Sequence, residues 1–450
     1  MGSIGQSAPA GAKPFVVIVA FPETGHTTPL LPHAAHLTKQ GYEVHMIAGL
    51  PTEGAIRRAG AEFYPVESTW TPEKYEEMIL LPDGPPRLVF DLKNVFVDLT
   101  PSIMKILQNV LEKLRAEQPE REVVIVQEIA SMAIWPFMLG APLPNGYTRF
   151  PKVITISTTP LVMSSVDTAP FGPGLLPDSS EEGRARNAAM YKAAEPLWNE
   201  VAEYANAKFK ELGAKREFSG SLLDLMTVGG ADLQVMLYSP SLEYPRSDMP
   251  SHIRFIGGTP RKEIDPATAL PEWWAEVEVA KQDGKKVIFV SQGTVMVDYN
   301  MLVIPTIKAM ADRNDCIVVA VLGVKDAKLE DVTVPANVRV VDYLLYDAIL
   351  PYADVFVTNA GFGGFMHGVM NGVPMVLAGV GQDKAEVSAR GEWSGIGVNL
   401  RTAWPTAEAV QVGVDKILTD NKYKTRCVEI QRENEELDCL AQLEHFISEL

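Results

Sequence analysis

The sequence predicts an α/β protein with two doubly wound domains, each built on a parallel sheet. Two series of short apolar runs, rich in β-branched residues, recur along the 450 residues and are separated by helix-like stretches. Because these runs show no polar alternation, each strand should be buried on both faces, as in parallel sheets flanked by helices. A hydrophobic content of 46% in a chain of this length can bury two cores.

The two series set the expected domain boundaries. The first series predicts strands at residues 15–20, 44–48, 123–126, 153–157 and 233–237, and the second at 287–290, 317–321, 338–341, 355–358 and 375–378. Residues 241–284, rich in Pro and charge, are the expected linker between a domain at 14–240 and a domain at 285–424. We expect residues 1–13 to be a disordered tail and a helix at about 425–450 to pack back on the first domain. Ligands bind beyond the carboxyl ends of parallel strands, so the cleft between the domains is the expected site.

Composition excludes several classes of protein. A formal net charge of −17 argues against a nucleic-acid partner. Three scattered cysteines fit neither a disulfide framework nor a metal site, and indicate a reducing compartment. We find no signal-type apolar core, no membrane anchor and no apolar run near the ~18 residues of a membrane helix. The expectation is a soluble, cytoplasmic protein.

The strongest local pattern is a glycine-dense turn between two apolar strands, with Gly361, Gly363 and Gly364 opening a helix. Glycine lets backbone N–H groups approach an anion closely, and a helix N-terminus adds partial positive charge. Asp383 follows the next strand, where a carboxylate could bind sugar hydroxyls. This pattern predicts a nucleotide-sugar site. A Rossmann dinucleotide site is the nearest rival, but its G-x-G-x-x-G fingerprint would need a third glycine at Met366.

Two further loops follow strands. The first strand ends in a turn that contains Gly25 and His26, and a loop His at a strand end is a candidate base near pH 7. The first strand of the second series ends in a small turn with Ser291, Gly293 and Thr294, whose N–H groups could bind an anion.

These motifs resemble those of the family 1 UDP-dependent glycosyltransferases, especially their soluble fungal members, and the resemblance covers most of the chain. The family signature reads roughly H-C-G-W-N-S-x-x-E, then H-G-V-P, then D-Q, and G-H-x-x-P near the N-terminus. Here it reads N-A-G-F-G-G-F-M-H from Asn359 to His367, then N-G-V-P, then Asp383-Lys384. The G-H-T-T-P phrase contains His26. The resemblance implies the GT-B fold, with an acceptor-binding first domain and a UDP-sugar-binding second domain.

The resemblance also implies a role for each residue. His26 is the expected catalytic base, and Glu128 its acidic partner, with Gln127 as the alternative because the register is open by one residue. The turn with Ser291, Gly293 and Thr294 is expected at the β-phosphate, and Gly25 is a further expected donor-binding residue. Tyr343 would stack on uracil, and the backbone of Leu344 would hydrogen-bond to the edge of that base. Asn359 occupies the family's phosphate-binding position, and His367 occupies its ribose-binding position. Asp383 and Lys384 are expected at the transferred sugar.

The resulting hypothesis is a UDP-sugar-dependent glycosyltransferase that moves a hexose to a hydroxyl of a small apolar or aromatic acceptor, with inversion. Long aromatic insertions near residues 68–100 and 161–220, the second with a helix at 185–212, suit such an acceptor. No metal motif is visible, so no metal or other cofactor is expected. UDP-glucose is the expected donor. Lys384 leaves two alternatives open, an ion pair with Asp383 or a preference for a carboxylated sugar such as glucuronate. A nucleotide-sugar epimerase or hydrolase, or a non-catalytic UDP-sugar-binding protein, remains an alternative.

Overall fold

Two parallel sheets organise the protein, as the apolar runs predict. The computed structural model describes residues 12–82, 84–294, 297–330 and 332–450. Within these ranges the first sheet has seven strands in the order β3-β2-β1-β4-β5-β6-β7, and the second has six in the order β10-β9-β8-β11-β12-β13. Every recorded strand pair is parallel. The predicted pair of doubly wound α/β domains is confirmed.

The strands of the first sheet are β1 (Phe15–Val19), β2 (Val44–Gly49), β3 (Glu62–Val66), β4 (Val123–Glu128), β5 (Lys152–Ser157), β6 (Leu233–Met236) and β7 (Ile253–Phe255). Those of the second sheet are β8 (Lys286–Ser291), β9 (Cys316–Val321), β10 (Val338–Val341), β11 (Val355–Thr358), β12 (Met375–Leu377) and β13 (Gly397–Asn399). Chain order reverses between β1 and β4 in the first sheet and between β8 and β11 in the second. These two switch points are where parallel sheets open a crevice for ligands.

Helices cover both faces of each sheet. In the first half of the chain they are α1 (Thr24–Thr27), α2 (Leu31–Lys39), α3 (Glu53–Arg58), α4 (Pro72–Ile79), α5 (Pro85–Asp91), α6 (Asp98–Glu117), α7 (Trp135–Met138), α8 (Glu181–Glu211) and α9 (Leu222–Val228). In the second half they are α10 (Trp274–Gln282), α11 (Val303–Met310), α12 (Tyr346–Ile349), α13 (Phe362–Met370), α14 (Lys384–Trp393), α15 (Ala407–Thr419), α16 (Lys422–Leu437) and α17 (Cys439–Glu449). A π-helical turn (Leu92–Val97) joins α5 to α6, and short 3₁₀ turns span Thr28–Leu30, Leu50–Thr52 and Pro240–Leu242. No described helix is both long and apolar enough to cross a bilayer.

Alternate residues of each central strand enter opposite cores, which explains the absence of polar alternation. In β1, Val17 and Val19 pack in a core with α6 and α8, whereas Val16 and Ile18 pack in a second core with α2 and α17. Strand β8 divides its residues between two cores in the same way. A strand buried on both faces gains from an apolar side chain at every position.

Three edge strands were not predicted. β3 alternates between exposed and buried residues and contains Pro65, while β7 and β13 have three residues each. Edge strands are buried less completely, so they lack the continuous apolar run used to find the others. The expected linker at 241–284 therefore contains β7 of the first sheet, and also α10, which packs against β8 and β9. The long helix expected at 185–212 begins earlier, at Glu181.

The C-terminal segment consists of two helices, α16 and α17, rather than one. The break is at Asp438, whose φ of +48° lies in the left-handed region. Helix α17 packs against α2 of the first domain, where Glu444 pairs with His36 at 2.9 Å and with Lys13 at 3.4 Å. Residues 1–11 of the expected tail lie outside the described residues.

Candidate active site

The loops at both switch points carry the residues singled out by the sequence. In the first domain, α1 with His26 follows β1, and Glu128 ends the neighbouring strand β4. In the second, Ser291 ends β8, and the turn with Gly361 follows the neighbouring strand β11. Parallel strands place their carboxyl ends at one edge of the sheet, so residues far apart in sequence meet in each domain.

His26 is in contact with Glu128. Its Nδ1 lies 2.9 Å from Oε1 of Glu128, whose side chain is fully buried, while the imidazole side chain is 26% exposed. The carboxylate also accepts hydrogen bonds from the Thr158 hydroxyl at 2.7 Å and the Ala130 amide at 3.0 Å. These bonds hold Glu128 rigidly and orient the ring, so that Nε2 lies on the side away from the carboxylate.

Register decides which of the two adjacent residues meets His26. Gln127 turns the other way, and its Oε1 accepts a hydrogen bond from the Ile134 amide at 3.1 Å. Glu128 is therefore the residue in contact with His26. Thr158, which steadies Glu128, was missed by the sequence analysis because nothing local marks a threonine after β5 as part of a distant pair.

Electrostatics favours the protonated form of His26. Burial alone would lower the pKa of the imidazole, but the charge and hydrogen bond of Glu128 outweigh it, and the charges of Asp383 and Glu23 add to the effect. The pKa of His26 is therefore raised above its usual value. The contribution of Asp383 is informative, because that residue belongs to the second domain and must lie near His26 across the cleft.

The N-terminus of α13 is a backbone surface with little side chain on it. Gly361 is its N-cap, and no described side chain caps the helix. A Cβ at Gly363 would meet nothing within 4 Å, whereas one at Gly364 would lie 3.4 Å from the Tyr346 ring. Gly363 therefore faces open space and Gly364 packs towards Tyr346. The first-turn N–H groups and the helix dipole form the kind of surface that binds phosphate.

The neighbouring loops hold this surface in place. The Asn359 amide donates to the Gln292 carbonyl at 2.6 Å, and Asn359 Oδ1 accepts from the Gly361 amide at 3.4 Å. Asn359, expected at the phosphate, thus connects the β8 and β11 loops. Ser291 is buried, and its hydroxyl bonds to the Tyr346 hydroxyl at 2.8 Å.

Other predicted donor residues differ in exposure. Thr294 is exposed. Its neighbour Gly293 has a φ of +79°, in the left-handed region that favours glycine. A Cβ at Gly25 would meet nothing within 4 Å. Tyr343 is 54% exposed, so its ring is available to stack, whereas Leu344 is buried.

His367, in the position expected at the ribose, pairs with a carboxylate that the sequence analysis did not identify. Its Nδ1 lies 2.9 Å from Asp347 Oδ1, which also accepts from Asn371 at 3.0 Å. Burial would raise the pKa of Asp347, but the bond and charge of His367 and the bonds from the Lys262 amide and Asn371 lower it. The ionised carboxylate of Asp347 therefore orients the half-exposed imidazole of His367.

Asp383 is the N-cap of α14, and Lys384 is its first residue. The Lys384 ammonium donates to the Gln382 side-chain oxygen at 2.7 Å. Among the described residues Lys384 and Asp383 form no ion pair, so the alternative in which Lys384 neutralises Asp383 is not what the structure shows. Gln382 has a φ of +48°, a strained value for a residue with a side chain.

Helix α14 also holds a loop of the first domain. Glu386 Oε1 accepts from the amides of Gly172 at 2.9 Å and Gly174 at 3.0 Å. The buried guanidinium of Arg390 bonds to Glu386 at 3.1 Å and to the Leu161 carbonyl at 3.2 Å. One helix therefore has Asp383 at its end and fixes the first-domain loop 161–174 along its side.

Comparison with known proteins agrees with this arrangement. A family profile described as Erythromycin biosynthesis protein CIII-like, C-terminal domain, matches residues 306–442. UDP-glucosyltransferase 1 of Beauveria bassiana (strain ARSEF 2860) is 41% identical over 440 residues, which cover 96% of this chain and 94% of that protein. UDP-glycosyltransferase 2 of Phaeomoniella chlamydospora is 36% identical over 455 residues, covering 98% and 96%. Among solved structures, the glycotransferase of kitacinnamycin is 20% identical, with a TM-score of 0.70 and coverage of 97% and 98%.

The likeness to solved glycosyltransferases shows that the two facing domains are a GT-B fold, as expected. Relatives above 30% identity span nearly the whole chain. The chain belongs to the family 1 UDP-dependent glycosyltransferases, and the expected class of enzyme, a UDP-sugar-dependent glycosyltransferase, is confirmed.

Proposed function

We propose that this enzyme transfers glucose from UDP-glucose to a hydroxyl group of a small apolar or aromatic acceptor, with His26 as the base and inversion of the anomeric centre. The observation that carries the proposal is the His26–Glu128 pair at 2.9 Å, facing the donor domain closely enough for the charge of Asp383 to act on His26. A base on one domain and a sugar-binding carboxylate on the other suit a transfer across the cleft.

The proposed reaction is one displacement. Nε2 of His26 takes the proton of the acceptor hydroxyl, and Glu128 stabilises the imidazolium that forms. The acceptor oxygen forms a bond to the anomeric carbon as the bond from that carbon to the β-phosphate oxygen breaks. UDP leaves with the bonding electrons, and the first-turn N–H groups of α13 stabilise its added negative charge. His26 then returns its proton to solvent.

Two observations support the choice of substrates. The relative from Beauveria bassiana is named a UDP-glucosyltransferase, which favours glucose as the donor sugar here. Aromatic residues lie beside the base, since the buried Phe21 ring is 5.2 Å from the His26 ring and the partly exposed Phe96 ring is 4.9 Å from Phe21. An apolar, aromatic acceptor would pack against the accessible part of Phe96.

Mass spectrometry of reactions with UDP-glucose and UDP-glucuronate against a panel of phenolic acceptors tests the proposal. We expect a mass gain of one hexose on at least one acceptor. A preference for UDP-glucuronate would show that the proposed donor sugar is wrong, while the assignment as a glycosyltransferase would stand. Donor loss without any acceptor would indicate an epimerase or hydrolase, and UDP binding without turnover a binding protein.

Glu128→Gln should lower activity and move its pH dependence. The base must be neutral to accept a proton, so activity rises with pH through the pKa of His26. The Glu128 charge raises that pKa, so its removal should shift the acid limb of the kcat/KM profile to lower pH, while kcat falls about tenfold or more. Glu23→Gln is the matched control and should shift the limb less, because the charge of Glu23 acts on His26 more weakly than that of Glu128 or Asp383. An unmoved limb in Glu128→Gln would contradict the proposed role.

Gly174→Ala should weaken acceptor binding and spare UDP. Gly174 has a φ of +61°, and a Cβ there would lie 2.5 Å from the Ala385 carbonyl oxygen on α14. The loop must then move away from α14, and we expect the acceptor KM to rise about tenfold while the Kd for UDP changes by less than about threefold. Gly172→Ala is the control, since its φ is +127° but a Cβ there meets nothing within 4 Å. Equal effects in both variants would mean that backbone strain, not docking on α14, is responsible.

Dialysis against EDTA should leave activity unchanged within about twofold. We propose that leaving-group charge is met by backbone N–H groups and the α13 dipole rather than by a metal. The sequence has no D-x-D carboxylate pair beside the glycine turn. Activity lost on dialysis and restored by Mg²⁺ or Mn²⁺ would show that a metal takes part.

A further inference from the structure

A buried carboxylate with an unpaired oxygen lies where the insertion at residues 68–100 meets the donor loop, by which we mean the residues that lead into α14 and include Gln382 and Asp383. Asp91 ends α5, and its residue is only 7% exposed. Its Oδ2 lies 3.5 Å from the Gln382 side-chain amide, at the long limit of a hydrogen bond. Its Oδ1 has no hydrogen-bond partner among the residues that the structure describes.

Such a carboxylate costs the protein stability. Burial raises the pKa of Asp91 to about 6, although the Gln382 bond and the charges of Arg87 and Lys384 act in the opposite direction. Near pH 7 the group is therefore largely ionised, with one oxygen unsatisfied in a site that excludes water. Natural proteins keep such costs at functional or strained sites, and a ligand that completes the missing bond is one reason for them.

Two strained features stand on either side of Asp91. The π-helical turn Leu92–Val97 follows it directly, and π turns occur mostly at functional sites. Its partner Gln382 has the left-handed φ of +48° noted above. The π turn adjoins Asp91 in sequence, and the strained Gln382 is its partner from the second domain.

The position of Asp91 connects it to both halves of the reaction. Gln382 immediately precedes Asp383, the proposed sugar-binding carboxylate, and Lys384 lies near enough for its charge to act on Asp91. On the other side, Phe96 of the π turn contacts Phe21, which contacts His26. Asp91 therefore lies between the loop that precedes α14 and the aromatic rings beside His26.

We propose that Asp91 and Gln382 bind a hydroxyl group of the transferred hexose, and that Asp91 is a specificity-determining residue of the first domain. This inference rests on the proposed function. A carboxylate accepts hydrogen bonds from hydroxyl groups, and an unpaired buried oxygen rejects a sugar that lacks the matching hydroxyl. A cation is a poor alternative, since Asp91 is one carboxylate near Lys384. We assign Asp91 to a hydroxyl of the sugar rather than of the acceptor, because Asp91 contacts Gln382 of the donor loop.

The test compares UDP-glucose with its 3-deoxy, 4-deoxy and 6-deoxy analogues in the wild type, Asp91→Ala and Asp91→Asn. In the wild type, kcat/KM should fall at least about 100-fold for one analogue. In Asp91→Ala that fall should shrink to less than about threefold, because the residue that reads the hydroxyl is gone. Glu76→Gln, an exposed carboxylate on α4 in the same insertion, is the control and should keep the wild-type ratios. Unchanged ratios in Asp91→Ala, or a uniform loss with all donors, would overturn the inference.

Calorimetry separates this inference from the proposed function. Asp91→Ala should bind UDP as the wild type does, but lose at least about tenfold in affinity for UDP-glucose, whether or not transfer is observed. If the wild type transfers no sugar from any donor, the proposed function fails, and the calorimetric difference still tests Asp91. Thermal unfolding provides the folding control. Asp91→Asn should melt no lower than the wild type at pH 8, because a carboxylate of raised pKa opposes folding once it is ionised. A lower melting temperature with a uniform loss of activity would assign Asp91 a structural role.

Discussion

His26→Ala should lower kcat by about 10²–10⁴-fold, the usual contribution of a general base. The side chain lies on the first domain, and its contacts there include Glu128, the Thr158 hydroxyl and the ring of Phe21. None of these contacts belongs to the surface of α13 proposed to bind the phosphates. The Kd for UDP should therefore stay within about threefold of the wild type. Steady-state kinetics with UDP-glucose and calorimetry with UDP measure the two effects separately.

His445→Ala is the matched control for this experiment. His445 is an exposed histidine on α17, paired only loosely with Glu449 at 3.6 Å. It should leave kcat and UDP binding unchanged. If His26→Ala keeps activity within a few-fold of the wild type, another group must remove the proton and the assignment of the base is wrong.

Gly363→Asp should abolish measurable UDP binding, with a loss of at least about 100-fold. Gly363 lies in the first turn of α13, where a Cβ would enter open space beside the backbone N–H groups. A carboxylate there would occupy the space proposed for the diphosphate and repel its charge. Gly364 is the poorer site for this experiment, because a side chain there would point towards Tyr346.

Gly363→Asn separates the two causes of that loss. Asn has the same size as Asp and no charge, so it should weaken UDP binding less if electrostatic repulsion dominates. Circular dichroism establishes that both variants fold. A folded Gly363→Asp variant that binds UDP normally would mean that the phosphates bind elsewhere.

The interior strands could be found from the sequence, and three of the four edge strands of the described sheets could not. All ten predicted strands are present. Nine of them lie inside a sheet, where a parallel strand covered on both faces gains from an apolar residue at every position, and the tenth, β10, is an edge strand that three valines made visible. β7 and β13 have three residues each and carry no such run. The distinction is physical, since the apolar pattern reports burial and an edge strand is only partly buried.

The candidate site was predicted in part. His26 and the glycines of α13 follow strong apolar strands and are marked by local spacing. Glu128 could not be separated from Gln127 by the sequence, because adjacent residues on a strand point to opposite faces and a register error of one residue exchanges them. The structure shows that Glu128 faces His26, and that Gln127 bonds to the Ile134 amide.

The sequence by itself determined the two-domain α/β class, the loops that form the candidate site and, through family signatures, the kind of donor expected. Only the tertiary structure decided which residues meet across the cleft. Asp91 and Gln382 are 291 residues apart, and Glu386 and Gly174 are 212 apart. Patterns of period 2 or 3.6 report how a segment is buried, whereas contacts between insertions and the opposite domain depend on how two separately folded sheets face each other.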